Sequence, residues 1–226
     1  MLLLVAGLIT FSCLRLSVLG ADDDRDALLY KVDIFLPPKE GRDEKADIRK
    51  IQETLNSITD IRVLFAFKEL GNPRIILVLD VEKKNSWHQL TGFLSRKGYE
   101  FSVTALYSCE GFAQDLGVNL TRDMFATSFG DDDLIMDRKI FPEKDLTTLE
   151  YNEKLKWTFE RNAEFVKAGM QGTCFKTLAA YPVELVYFVT VNPHTIEVIE
   201  EGLHGPNHFQ NQVTRIENLD SYTGVC

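Results

Sequence analysis

The stretch IRVLFAFKELGNPRIILVLDV, residues 61–81, is two apolar runs held apart by a turn: Ile61 to Lys68 and Arg74 to Val81, with Glu69-Leu70-Gly71-Asn72-Pro73 between them. β-branched and aromatic residues dominate both runs, and the Gly-Asn-Pro punctuation bends the chain back, so the stretch predicts a hairpin. A second stretch, TCFKTLAAYPVELVYFVTV (residues 173–191), repeats it. Phe67-Lys68-Glu69-Leu70 aligns with Phe175-Lys176-Thr177-Leu178, and Arg74 to Val81 with Glu184 to Val191, the second copy carrying two more residues in its turn. An internal duplication is the economical reading.

Working outward, the flanking segments repeat as well. Leu28 to Leu36 reads as a strand closed by Pro37-Pro38, with a turn over Lys39 to Arg42. Asp43 to Ile58 reads as a helix, because Ile48, Ile51, Leu55 and Ile58 recur at helical spacing. After the hairpin, Asn85 or Ser86 can cap a second helix carrying Trp87, Leu90, Phe93 and Leu94 and ending at Gly98. Tyr99 to Tyr107 is a fourth strand. The order β-α-β-β-α-β is the ferredoxin-like, split βαβ unit. Glu110 to Asp133, with Gly111, Gly117, Gly130 and three consecutive aspartates, reads as a linker with a short helix near Thr121 to Phe125. The order then returns: strand Leu134 to Phe141 up to Pro142, helix Leu146 to Ala168 stopped by Gly169, strands Thr173 to Ala179 and Val183 to Val191 turning at Tyr181-Pro182, helix Pro193 to Leu203, strand Gln212 to Leu219. The fold class expected is α+β: tandem ferredoxin-like units over residues 21–109 and 134–226, joined by 110–133.

The amino terminus points to a compartment. Met1 to Leu14 is almost wholly apolar, and Val18-Leu19-Gly20 supplies the small residues that signal peptidase accepts, so residues 1–20 are expected to be a secretory leader cut after Gly20. An apolar run of about 14 residues is shorter than the roughly 20 that span a bilayer as a helix. An uncleaved anchor is the alternative, since no Lys or Arg precedes the run and Arg15 stands near its end. No second long apolar segment follows, so no membrane contact is expected once the leader is gone. The formal net charge of −9 is spread along the chain, which argues against nucleic acid or an anionic membrane surface as partner. Cys13 would leave with the leader, and Cys109, Cys174 and Cys226 then imply one disulfide and one odd thiol, without choosing the pair. Asn119-Leu120-Thr121 is a glycosylation sequon in a Gly- and Asp-rich stretch, in keeping with secretion to the extracellular space.

In arrangement the chain resembles the dimeric α/β-barrel superfamily, and within it muconolactone isomerase most. The likeness rests on the opening strand running into proline in each half (Leu28 to Pro37; Leu134 to Pro142) and on a following helix of alternating acidic and basic residues. In the second half that helix runs from Leu146-Thr147-Thr148-Leu149-Glu150 to Glu164-Phe165-Val166-Lys167-Ala168-Gly169. A hairpin of long strands and a sparsely apolar helix follow in both halves. The resemblance spans most of the mature chain and is one of pattern and length, with no diagnostic catalytic string. It implies that two units pair sheet to sheet around a pocket, here supplied by one chain as a fused pseudo-dimer and monomer. The superfamily includes isomerases, monooxygenases, cyclases, haem enzymes and members of no known activity, so the fold does not name a reaction.

Strand alternation places charges on the face that carries no helices. Leu28, Tyr30, Val32, Ile34 and Leu36 form the apolar set of the first strand, which turns Lys31 and Asp33 to the other side. Arg62 and Lys68 are expected to share that side with Leu64 and Ala66 between them, Arg74 and Asp80 to join them beside Ile76 and Val78, and Lys176 and Glu184 to fall in similar places in the second half. Two accounts fit. The charges line a cavity, with Lys31 and Asp33 as catalytic candidates (a base and a nearby cation are what proton abstraction next to a carbonyl needs) and Arg62, Arg74, Lys176 and Glu184 as ligand-pocket residues. Alternatively they pair across the inter-sheet contact and have no chemistry. Metal is not expected: His204 and His208 stand four apart, but Gly205 and Pro206 break the helix that would put them on one face. His88 and His194 read as ordinary helix residues. A phosphate loop, a Cys-x-x-Cys pair and a nucleophile elbow are all missing, and no cofactor is expected.

Two functions follow. One is a secreted barrel that binds a small, mostly apolar molecule and isomerises, cyclises or oxidises it without a cofactor. The other is a non-catalytic extracellular binding or interaction protein whose pocket is filled by Phe35, Leu64, Ile76, Leu106 and their counterparts, its charges paired at the rim.

Overall fold

Helices and strands form where apolar spacing and capping residues direct them. The computed structural model describes residues 28–130, 133–140, 146–167, 169–191 and 210–224. The leader, Cys226, His194, His204, His208 and the helix expected over Pro193 to Leu203 lie outside the described residues. Strand β1 is Leu29–Phe35. Helix α1, Glu44–Ser57, starts at Asp43, whose carboxylate accepts a hydrogen bond from the Ala46 amide, and it buries Ile48, Ile51 and Leu55. The hairpin is β2, Ile61–Glu69, with β3, Arg74–Val81. A 3₁₀ turn at Lys84–Ser86 leads into α2, Trp87–Arg96, where Ser86 bonds to Asp60 instead of capping the helix. Strand β4 is Glu100–Ser108 and α3 is Cys109–Asp115. The second half supplies β5, Leu134–Ile140; α4, Thr148–Lys167; β6, Gly172–Leu178; β7, Glu184–Thr190; β8, Gln210–Asn218; and α5, Leu219–Thr223.

The eight strands close into one antiparallel barrel in the order β1-β3-β2-β8-β5-β7-β6-β4. This corrects the expectation of two sheets pressed face to face: the sheets meet edge to edge. Each half has strands in the same sequence, β4-β1-β3-β2 and β8-β5-β7-β6, and its two outer strands pair with those of the other half. An unpaired edge strand leaves its amides and carbonyls without partners, and closure satisfies all four edges at once. The seams are equivalent in register. Phe67, Lys68 and Glu69 oppose Asn218, Glu217 and Ile216 at one; Phe175, Lys176 and Thr177 oppose Ser108, Tyr107 and Leu106 at the other.

Three cores result. Val32, Ile34, Leu77 and Leu79 pack under α1 and α2 outside the first half, while Ile135, Leu185, Tyr187 and Val189 pack with Leu155 and Phe159 of α4 outside the second. The third core is the barrel interior. Each half is completed by a piece that follows the other half's strands. Cys109 and Ala113 of α3, which follows β4, are buried in the second half's core; Leu219 and Tyr222 of α5, which follows β8, pack in the first half's core. The segment expected as a linker is thus structured from its start, and it also buries Val118 and Leu120.

The disulfide is Cys109–Cys174, with Cα atoms 5.3 Å apart. It straddles the β4–β6 seam beside the Ser108–Phe175 pair. A crosslink between residues 65 apart removes loop entropy from the unfolded chain worth about 4 kcal/mol. Replacing both cysteines by alanine is therefore expected to lower unfolding stability by about 3–4 kcal/mol in urea denaturation. A loss under about 1 kcal/mol would mean that the seam holds without it.

Candidate functional site

The inward faces of the strands decide whether the barrel has a pocket. Phe65 and Phe67 of β2, Phe175 of β6 and Phe188 of β7 point into it, and Phe129 enters from the segment before β5. Ring centroids lie 4.8 Å apart for Phe67 and Phe188, 5.5 Å for Phe65 and Phe129, and 5.8 Å for Phe67 and Phe129. Ile76, Val78, Leu106, Met136, Val186 and Ile216 fill the space around the rings. The centre is a packed apolar core. Phe129 was beyond sequence reasoning, since a lone aromatic between Ser128 and Gly130 carries no periodicity.

Around this plug the expected charges other than Lys68 and Lys176 are found in pairs. Lys31 Nζ stands 2.5 Å from Asp33 Oδ2, and Arg74 lies between Asp33 at 3.5 Å and Glu69 at 2.9 Å. Both oxygens of Asp33 therefore face cations. The Asn72 amide donates to Glu69 at 3.2 Å. At the other end of these strands Arg62, half exposed, pairs with Asp80 at 2.6 Å. In the second half Glu184 takes a two-pronged bond from Arg138, at 2.9 and 2.6 Å, while Arg138 also donates to Gln212 at 2.8 Å. The registers make Asp33–Arg74 and Arg138–Glu184 counterparts with their charges exchanged: Arg74 pairs with Phe35, two residues beyond Asp33, and Glu184 with Ile140, two beyond Arg138. Arg138 was not foreseen; its alternation with Leu134 and Met136 on the inner face is the signal that identifies it.

Lys176 is a correction. It pairs in register with Leu185, which belongs to the outer core, so its ammonium lies 4.6 Å from the Phe112 ring of α3, outside the barrel. Lys68 is its counterpart, 5.4 Å from the Tyr222 ring of α5, and it also lies outside. A β-bulge between Val63 and Phe65 inserts one residue into β2, and every side chain after it changes face. Lys68 then binds the Glu69 and Asn72 carbonyls and lies 3.5 Å from Glu44.

Further titratable groups are buried outside the barrel. Asp137 and Lys139 of β5 face outward with 6 and 7 % of their side chains exposed, 3.8 Å apart. Burial raises the Asp137 pKa against the opposing pull of Lys139, and burial lowers that of Lys139 against the pull of Asp137. The Lys139 ammonium lies 5.1 Å from the Tyr187 ring. Burial also pushes the Tyr187 phenol up, opposed by its hydrogen bond from the Asn162 amide at 2.8 Å. Between α4 and the outer faces of β6 and β7 there is a cavity of about 20 Å³, bounded by Phe159, Asn162, Val166, Tyr187 and the disulfide, with room for a water molecule. Among the described residues no histidine lines the barrel or this cavity, since His88 is exposed on α2. No group of three metal-ligating side chains occurs among the described residues.

Asn119 is exposed, between buried Val118 and Leu120.

Two outcomes test these assignments. Glu184→Ala strands a largely buried guanidinium and is expected to cost about 2–3 kcal/mol, against under about 1 kcal/mol for Arg62→Ala at its half-exposed pair, both read by urea denaturation. Asp137, whose folded-state pKa is raised, favours the fold while protonated, so its contribution falls as pH rises from the unfolded carboxylate range through the folded value. Asp137→Asn should make stability less dependent on pH across that window; an unchanged profile would contradict the assignment.

No family model matches the chain, and no curated protein resembles it in sequence. Solved structures share its fold. A chlorite dismutase variant from Candidatus Nitrospira defluvii superposes with a TM-score of 0.58 at 8 % identity, over 88 % of this chain and 95 % of its own. A second chlorite dismutase-like protein gives 0.53 at 9 % identity over 87 % and 98 % of the two chains, and an anthrone oxidase-like protein 0.50 at 8 % over 85 % and 92 %. These proteins belong to the dimeric α/β-barrel superfamily, and at such identities the likeness is one of fold: this chain has the architecture of a dimeric α/β barrel, closed within a single polypeptide.

Proposed function

We propose that this chain is a non-catalytic binding or interaction protein of the extracellular space, which keeps the dimeric α/β barrel as a scaffold and has no substrate pocket at its centre. The observation that carries the reading is the plug of Phe65, Phe67, Phe129, Phe175 and Phe188, with each charge once assigned to catalysis engaged by an opposite one. A general base must reach a substrate proton, and Asp33 is bonded by Lys31 on Oδ2, with Arg74 3.5 Å from Oδ1, beside a filled interior. Secretion is part of the proposal and is supported by the leader-like amino terminus, the Cys109–Cys174 bridge and the exposed Asn119 sequon. So is descent by duplication, supported by the matching strand orders and seam registers, and with it a monomeric pseudo-dimer. The finer likeness to muconolactone isomerase rests on element order and lengths alone.

The competing reading, a barrel that takes a small apolar molecule, is favoured by its neighbours, which are named as a chlorite dismutase and an anthrone oxidase-like protein. Methyl NMR separates the two. Benzene added to the protein should leave the signals of Val78, Leu106, Met136 and Val186 in place, and should shift them in Phe188→Ala, where truncation opens an apolar cavity at a cost of about 3–5 kcal/mol. Shifts in the unaltered protein would overturn the filled-core reading. Protein recovered from a eukaryotic secretory host should carry a glycan mass that Asn119→Gln removes; an unglycosylated product would remove Asn119 from the argument.

A further inference from the structure

The two halves serve as each other's control, and one group of positions breaks the match. Register equates Val32 with Asp137, Ile34 with Lys139, Leu77 with Tyr187 and Phe101 with Asn211: Val32 pairs with Leu77 as Asp137 does with Tyr187, and Ile34 with Phe101 as Lys139 does with Asn211. In the first half these four residues are apolar, with Val32, Ile34 and Leu77 fully buried and Phe101 packed against them. In the second half all four carry polar groups. The Tyr187 hydroxyl accepts a hydrogen bond from Asn162, but the other three residues are less well served. Asp137 Oδ1, Asn211 Oδ1 and Asn211 Nδ2 are buried and make no hydrogen bond. Lys139 Nζ has its carboxylate at 3.8 Å, longer than a hydrogen bond. Buried polar groups are nearly always paired, and such groups left unpaired where an apolar alternative is visible in the same chain oppose folding. Residues retained against stability are expected at functional sites.

We propose that Asp137, Lys139, Tyr187 and Asn211 form a binding site on the outer face of β5, β7 and β8 for a small neutral molecule that presents a hydrogen-bond donor and an acceptor side by side, a carboxamide or a cyclic imide. The chemistry follows from the unsatisfied atoms. Asn211 Nδ2 seeks an acceptor, Asp137 Oδ1 and Asn211 Oδ1 seek a donor, and the Lys139 ammonium stands beside them, paired with Asp137 only at 3.8 Å. The ligand is neutral because Asp137 and Lys139 offset each other's charge, and a net charge added to a buried site would have no counterion. The Tyr187 ring, beside Lys139, gives the site an apolar wall. The site is outside the barrel, so it stands whether or not the interior is filled.

The test uses the whole chain with uracil as imide probe, nicotinamide as carboxamide probe and benzoate as charged control. At millimolar concentration either neutral probe should shift the side-chain amide signals of Asn211 and raise the melting temperature, and benzoate should do neither. The double variant D137V/K139I, which installs the first half's residues, should melt higher than the parent and bind the neutral probes about tenfold or more weakly, the loss expected when a buried hydrogen-bond partner is removed. Asn211→Leu should act alike through separate atoms. Unmoved Asn211 signals with both neutral probes, binding of benzoate as strong as theirs, or a double variant that melts lower or fails to fold would overturn the proposal. The last result would show that the polar groups hold the fold together.

Discussion

Four strand edges govern this molecule. Each half of the chain builds a four-stranded sheet that ends in two open edges, β2 and β4 in one and β6 and β8 in the other. A backbone group at an open edge must find water or a partner, and an edge of aromatic and β-branched residues cannot remain in water without inviting aggregation. Pairing β2 with β8 and β4 with β6 settles all four within one chain. The remaining architecture follows from that closure. Helices keep to the outside, the bare faces of the sheets become an interior, and the short helices after β4 and β8 cross their seams to finish the opposite half's core.

An interior enclosed in this way has to be filled by side chains, by water or by a ligand. Here rings fill it, and Arg62–Asp80 and Arg138–Glu184 stand toward the strand ends, while Lys31 and Asp33 pair near the middle of β1. Charges near the ends of a barrel can be paired at little cost because part of each head group still meets solvent, whereas at the centre they would have to be stripped of water. The exchange of polarity between Asp33–Arg74 and Arg138–Glu184 shows that these positions require an ion pair and are indifferent to its direction. A catalytic base would be tied to its sign. Indifference to sign supports the structural role proposed for these pairs.

The described elements and their order were legible in the sequence because they depend on local periodicity: apolar residues every third or fourth place in α1, alternation in β1 and β3, proline and glycine at the ends. Failures came where one residue altered the counting. The bulge at Leu64 turned Lys68 outward, and no residue in FAFKEL announces it. Lys176 was misplaced by analogy with Lys68, so a single unseen insertion produced two errors. Face-to-face packing was expected because alternation identifies which side of a sheet is bare and says nothing about its edges. Phe129 and α5 act through contacts far along the chain, which periodicity does not report. Asp137 and Lys139 are legible as letters but not as an anomaly, since their equivalence to Val32 and Ile34 is fixed only by the strand registers.

Comparing the halves after the fold is known separates structural from functional differences more sharply than either half alone. Cys109 and Cys174 have Leu219 and Ala66 as their counterparts by seam register, so the chain fastens one seam covalently and the other by packing. That difference strengthens the protein, in keeping with the oxidising compartment proposed for it. The exchange of Asp33–Arg74 for Arg138–Glu184 is neutral. The replacement of Val32, Ile34, Leu77 and Phe101 by Asp137, Lys139, Tyr187 and Asn211 belongs to neither kind, because it removes apolar burial and leaves hydrogen-bonding atoms unserved. Drift would be expected to erode such a set toward the apolar residues the other half tolerates, one position at a time. Four positions that adjoin in register and are polar together are better explained by a shared partner than by four separate accidents.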